Sequence, residues 1–99
     1  MTETFAALAE PNRFRIVELL HSGPCPVNDI GERLQLSQPL VSKHLRVLKE
    51  AGLVLDTRDG TRRIYRVDPS GLAGIRAYFD SFWDEALGRF AAEARKERE

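Results

Sequence analysis

The chain has 99 residues, enough for one modest hydrophobic core, so a single domain over 1–99 is expected. Its composition, 42% hydrophobic and 30% charged, excludes a disordered chain. The formal net charge is zero, which by itself argues against nucleic acid.

Residues 4–9, Thr4-Phe5-Ala6-Ala7-Leu8-Ala9, read as a short helix that stops before Pro11, because the residue preceding a proline disfavours helical backbone. Pro11 suits the first turn of a second helix. In that helix Phe14, Val17 and Leu20, with Ile16, are expected to face a core, and Arg13, Arg15 and Glu18 to face water. Ser22-Gly23-Pro24 breaks it. A third helix begins near Pro26, with Val27, Ile30 and Leu34 at spacings of three and four. Gly31 lies inside it, where a side chain would crowd the next helix.

Gln35-Leu36 leaves room only for a turn, and a fourth helix follows over 37–50, capped by Ser37 with Pro39 in its first turn. Val41, Leu45 and Leu48 form its apolar stripe. His44 sits at the stripe's edge as a half-buried packing residue. Off the stripe stand Gln38, Ser42, Lys43, Arg46 and Lys49, hydrogen-bonding or cationic and never acidic. That is the chemistry with which a helix reads the major groove of DNA. Two short helices joined by so tight a turn make a helix-turn-helix.

Past Gly52, suited to a left-handed helix end, the pattern turns to β. The stretch 53–67 contains two β-prone runs, Leu53–Arg58 and Arg62–Val67, separated by the hairpin signal Asp59-Gly60. This hairpin is expected to form a wing with Arg62 and Arg63 at its tip and Arg58 at its base. Residues 69–95 then read as a long helix with Leu72, Ile75, Phe79, Phe82, Trp83, Ala86, Leu87 and Phe90 on a wide apolar face. Ala94–Glu99 is a charged tail expected to fray. The aromatics exceed what one small core needs, so Phe79, Phe82, Trp83 and Phe90, helped by Phe5 and Leu8 of the first helix, are expected to meet the same surface of a second copy. The half nearest Leu72 and Ile75 is expected to pack on the chain's own core.

The charge is unevenly placed. Residues 38–66 carry seven cations (Lys43, Arg46, Lys49, Arg58, Arg62, Arg63, Arg66) and three anions, a local excess of +4, while both flanks are net acidic. A basic middle on a helix and hairpin is an electrostatic footprint for DNA.

The frame Phe5–Arg13, the run Leu36-Ser37-Gln38-Pro39-Leu40-Val41-Ser42-Lys43-His44-Leu45 with Leu48, then Ala51-Gly52-Leu53-Val54 and the Asp59-Gly60 hairpin ending in Tyr65 together resemble the ArsR/SmtB family of bacterial repressors. The resemblance covers nearly the whole chain. It implies a mainly α (α+β) winged helix-turn-helix of about five helices and a two-stranded β-hairpin wing. It also implies a homodimer through the first and last helices that represses an operon by binding double-stranded DNA at a partly palindromic operator, with release by an effector that these residues do not name. Gln38, Pro39, Ser42 and Lys43 fall where family members meet DNA. Arg46 and Lys49 would touch phosphates, and Arg58, Arg62 and Arg63 would serve the wing in the minor groove. Arg13 and Arg15 could clamp the backbone.

Metal-sensing members carry a Cys-Val-Cys-Asp-Leu box on the third helix. The aligned residues here are Pro26-Val27-Asn28-Asp29-Ile30, and the last helix contains no histidine, so no metal or other cofactor is expected. Cys25, the single cysteine, precludes an internal disulfide and fits a reducing compartment; no run reaches membrane-spanning length and no signal-peptide layout opens the chain, so cytoplasmic residence is expected. A nonstandard metal site from His21 and Cys25 across a dimer is one alternative, and a winged-helix protein-interaction module is another. An enzyme is disfavoured, because His21 and His44 stand apart from any nucleophile or carboxylate pair.

Overall fold

The computed structural model describes residues 1–98. In chain order the elements are α1 (Thr2–Ala9), α2 (Pro11–His21), β1 (Cys25–Pro26), α3 (Val27–Leu34), α4 (Gln38–Glu50), β2 (Val54–Asp59), β3 (Arg62–Val67) and α5 (Pro69–Arg98). The three strands form one antiparallel sheet in the order β1-β3-β2. The expected hairpin is present, and β1 adds a third strand by pairing Cys25 with Tyr65 and Pro26 with Ile64. Two residues, one a proline, give no strand pattern of their own; β1 exists only because β3 offers it an edge.

The core lies between α2, α3, α4 and the sheet. Ile16, Leu20, Ile30, Val41, Leu45, Leu48, Leu53, Val54 and Tyr65 are buried there. Each fully buried Ile, Leu or Val contributes about 1.5–3 kcal/mol of transfer free energy. Phe14 departs from expectation and is 50% exposed. At about 100° per residue it lies 120–160° around α2 from Ile16 and Leu20, so the helix cannot bury all three. It borders a small hollow with Val17, His21, Val67 and Leu72.

Helix ends are set locally. Glu10 caps α2 by accepting the Arg13 backbone N–H at 2.8 Å, with Pro11 in the first turn. Asp68 accepts the Ser70 N–H at 2.9 Å at the head of α5. Gln35 closes α3 in the left-handed region, φ 57°, and the Leu36 N–H reaches the Gly31 carbonyl at 3.0 Å. A Cβ on Gly31 would stand 3.0 Å from the Leu36 carbonyl oxygen, which is why glycine sits inside that helix. Ser37 occupies the cap position of α4, yet its side chain makes no capping bond.

Helix α5 leaves the body. Ile75 packs against the core, but Leu72 is 40% exposed and every residue from Arg76 to Glu97 is exposed. The tail expected to fray continues as helix through Arg98, and Glu99 lies outside the described residues. The radius of gyration is 18.4 Å, against about 13 Å for a compact chain of this length. Phe5 of α1 bridges back to α5, edge-on to Tyr78 at 5.8 Å and to Phe79 at 5.7 Å between ring centroids. No described helix is long and apolar enough to cross a membrane.

Candidate nucleic-acid interface

Helix α4 is two-faced. Val41, His44, Leu45 and Leu48 are buried, while Gln38, Pro39, Ser42, Lys43, Arg46 and Lys49 are all exposed. The exposed set recurs every three or four residues and so lies along one side of a helix about 20 Å long. Gln38 Nε2 donates to Asn28 Oδ1, linking the start of α4 to the first turn of α3.

From behind, α4 is held through His44, which is 6% exposed and more deeply buried than its place at the stripe's edge suggested. The Arg13 guanidinium lies 3.4 Å from His44 Nδ1, and Glu10 Oε2 lies 3.8 Å from His44 Nε2. Arg13 also donates from Nε to the Ala7 carbonyl at 2.7 Å and from Nη2 to the Ala6 carbonyl at 3.4 Å. Arg13, expected to face water and clamp DNA, is therefore consumed in joining α1, α2 and α4. Arg15 reaches the Leu34 carbonyl at 3.2 Å instead.

The wing stands beside α4. Six residue pairs run from Val54–Val67 at the base to Asp59–Arg62 at the tip, leaving Gly60-Thr61 as the turn, one residue later than expected. Gly60 has φ +64°, the conformation that such a turn demands of its first residue. Arg58 pairs with Arg63, one step from the tip and not at the base as expected. Arg58, Arg62 and Arg63 are all exposed. Arg62 lies 4.0 Å from Asp29 across a cleft between the wing and the head of α3.

Two further cations share one carboxylate. Lys49 Nζ lies 2.7 Å from Asp56 Oδ1, and Arg63 Nε lies 3.2 Å from Asp56 Oδ2. The Asp56 side chain is 10% exposed. The hydrogen bond from Lys49, reinforced by the Lys49 and Arg63 charges, holds the Asp56 carboxyl below its usual range. Asp56, which binds Lys49 and Arg63, and Asn28, which binds Gln38, are the residues beside this surface that sequence reasoning missed. Asn28 had drawn notice only as a non-ligand in a metal box, and nothing in the spacing of 49, 56 and 63 announces a contact.

The candidate metal donors are placed as follows within one chain. Pro26 and Asn28 stand where the thiolates of the expected box would lie. Cys25 is buried in β1, and burial pushes its thiol up, against the thiolate a metal needs. His21 is exposed at the end of α2. Among the described residues no three of His, Cys, Asp or Glu converge.

The helix-turn-helix and wing also locate the chain among known proteins. A family model described as "Bacterial regulatory protein, arsR family" matches residues 10–55, which span α2 through the start of β2. The HTH-type transcriptional regulator Rv2034 of Mycobacterium tuberculosis is 49% identical over 85 residues, covering 86% of this chain and 79% of that protein. The chain belongs to the ArsR family. A second ArsR-type relative, the arsenical resistance operon repressor of Escherichia coli, is 38% identical over 82% of this chain and 70% of its own length. Among solved structures, the homodimeric winged helix-turn-helix DNA-binding domain of a Mycobacterium bovis protein superposes with a TM-score of 0.70 at 32% identity, over 87% of this chain and 80% of that one. The ArsR architecture thus accounts for the five helices, the sheet and the order in which they occur.

Proposed function

We propose that this ArsR-family chain is a single-domain, homodimeric repressor that binds a partly palindromic operator in double-stranded DNA in the cytoplasm and catalyses no reaction. The observation that carries the reading is the exposed polar and cationic side of α4 beside an arginine wing, in a chain whose net charge is zero. Gln38, Ser42 and Lys43 read base edges in the major groove, with Pro39 shaping the approach. Arg46 meets phosphate, and Arg58, Arg62 and Arg63 carry the wing's charge toward the minor groove, Arg63 and Lys49 under the restraint of Asp56. The partner copy is met through Phe5, Leu8, Phe79, Phe82, Trp83 and Phe90. Two-fold symmetry then sets the recognition helices about 34 Å apart, one turn of DNA, or a multiple of that distance. The homodimeric state of the Mycobacterium bovis relative and the repressor activity named for the Escherichia coli relative support this reading.

The test is a fluorescence-anisotropy titration against the promoter of the chain's own gene at several salt concentrations. Affinity should fall steeply with salt. Lys43→Ala should weaken operator binding by about 1–3 kcal/mol, and Arg62→Ala should flatten the salt slope by about one unit. Salt-independent affinity, or variants indistinguishable from the parent, would remove the interface.

A further inference from the structure

Asp56 does something that a groove-reading surface should avoid. It places a carboxylate, 10% exposed, between two cations of that surface and satisfies each with a different oxygen, Lys49 at 2.7 Å and Arg63 at 3.2 Å. The three residues come from three elements. Lys49 lies in the last turn of α4, Asp56 on β2, and Arg63 on β3, diagonal to Asp56 on the sheet. Asp56 faces Tyr65 in the register, and Tyr65 is buried against the core, so the carboxylate is anchored on the rigid base of the wing and not on its tip. Lys49, Arg63 and Tyr65 line one cleft of about 310 Å³ with Ser42 and Arg46, the cleft that separates the recognition helix from the wing.

We propose that Asp56 is the positioning residue that sets the angle between recognition helix and wing, and that it trades general affinity for DNA against discrimination among sequences. The inference rests on the DNA-binding reading above and deepens it. While Asp56 holds them, Lys49 and Arg63 contribute little net positive charge to the duplex, because one anion sits between two cations. Held by one carboxylate, the helix and the wing meet DNA as one rigid body. A sequence whose major and minor grooves do not lie at that spacing must be deformed to fit, and that deformation is paid in binding free energy. Freed, the two cations would follow any phosphate within reach, and the wing could adjust to any duplex.

The experiment compares the parent with Asp56→Asn and Asp56→Glu on two duplexes, the operator and an unrelated sequence of equal length, between 50 and 200 mM salt. Asp56→Asn keeps the size of the side chain and removes the charge. It should bind the unrelated duplex more tightly than the parent does, with a salt slope steeper by one to two units. Each freed cation adds a factor of about 3.5 to the affinity lost over that salt range. The ratio of operator to unrelated affinity should fall about tenfold or more. Asp56→Glu keeps the charge and should restore both the slope and most of the ratio. Adding Lys49→Ala to Asp56→Asn should lower the slope again by about one unit, because the freed lysine is what steepened it. A merely structural role for Asp56 would shallow the slope and weaken both duplexes together; that result, or an unchanged slope and ratio, overturns the proposal while leaving the DNA-binding reading intact. A parent that binds neither duplex in a salt-dependent way overturns both.

Discussion

Two glycines of α5 face opposite surroundings, and the same substitution at each should have opposite effects. A Cβ on Gly71 would stand 2.1 Å from the carbonyl oxygen of Gly52, 3.0 Å from that carbonyl carbon and 3.3 Å from Leu53 Cα. All three atoms are backbone, so no side chain can swing away. A carbon atom does not approach that close, and the head of α5 must part from the α4–β2 corner by about 1 Å or more. Such overpacking costs about 1–3 kcal/mol, against a gain of at most about 1 kcal/mol from the better helix propensity of alanine. The gain is smaller still at Gly71, which lies in the first turn, where its N–H has no partner four residues back in the helix and donates to the Asp68 carbonyl at 3.1 Å. At Gly88 nothing lies within 4 Å of the added atom, and the position is about 160° around the helix from Phe90, away from the aromatic face. There the propensity term stands alone. For a chain of this size about 1 kcal/mol moves the melting temperature by about 4–8 °C. Gly71→Ala should therefore lower Tm by several degrees and Gly88→Ala should raise it by a few, both measured by circular dichroism at one fixed protein concentration because assembly shifts the midpoint. A Gly71→Ala protein as stable as Gly88→Ala would refute the close contact and, with it, the placement of α5 against the α4–β2 corner.

Trp83, 65% exposed, and Phe90, 71% exposed, dominate the uncovered face of α5, so Trp83→Ala combined with Phe90→Ala should shift sedimentation from dimer toward monomer at micromolar concentration; a double variant that stays fully dimeric contradicts the packing scheme. Because the Asp56 carboxyl is held below its usual range in the folded state, its contribution to stability is present above the ordinary carboxylate pKa of about 4 and is lost as pH falls through the depressed value. The parent should be more stable than Asp56→Asn at pH 7, with the gap closing under acid; a gap that is constant down to pH 2 would contradict the assignment. Finally, Cys25 is 4% exposed with its thiol pushed up by burial, so a disulfide reagent at pH 8 should label it far more slowly than free cysteine and should reach full rate only in denaturant.

The recognition helix was the most legible element, because its two faces are written at a single period. Val41, Leu45 and Leu48 mark one side, and Gln38, Ser42, Lys43, Arg46 and Lys49 mark the other. The aromatic run of α5 was equally plain, since no core formed by the rest of the chain could absorb Phe79, Phe82, Trp83 and Phe90. Helix α2 was harder. Two apolar lines overlap there, Ile16–Leu20 and Phe14–Val17, and which one is buried is decided by the α1, α3, α4 and β3 elements packed around the helix. Strand β1 and the Asp56 clasp were illegible for a common reason. Each depends on how separate elements come together: Tyr65 pairs with Cys25 from 40 residues away, and Lys49 and Arg63, each seven residues from Asp56, reach it from the neighbouring α4 and β3. Arg13 illustrates the reverse error. A cation at the start of an amphipathic helix looks like a solvent or phosphate contact, yet the end of α1 supplies two carbonyls that claim it.

The contact between Gly71 and Gly52 has a consequence for measurement of DNA. Gly52 lies two residues beyond the end of the recognition helix, and Gly71 lies in the first turn of the helix that carries the aromatic face. The exposed run from Arg76 to Glu97 is about 33 Å of helix projecting from that pivot. A tilt of about 5° at the pivot displaces the far end by about 3 Å, close to the rise of one base pair along B-DNA. In the proposed dimer, the two carbons that neither glycine possesses would then be the zero mark of a ruler: where α5 leans would set the gauge between the two α4 helices, on the scale of a base pair more or less between half-sites.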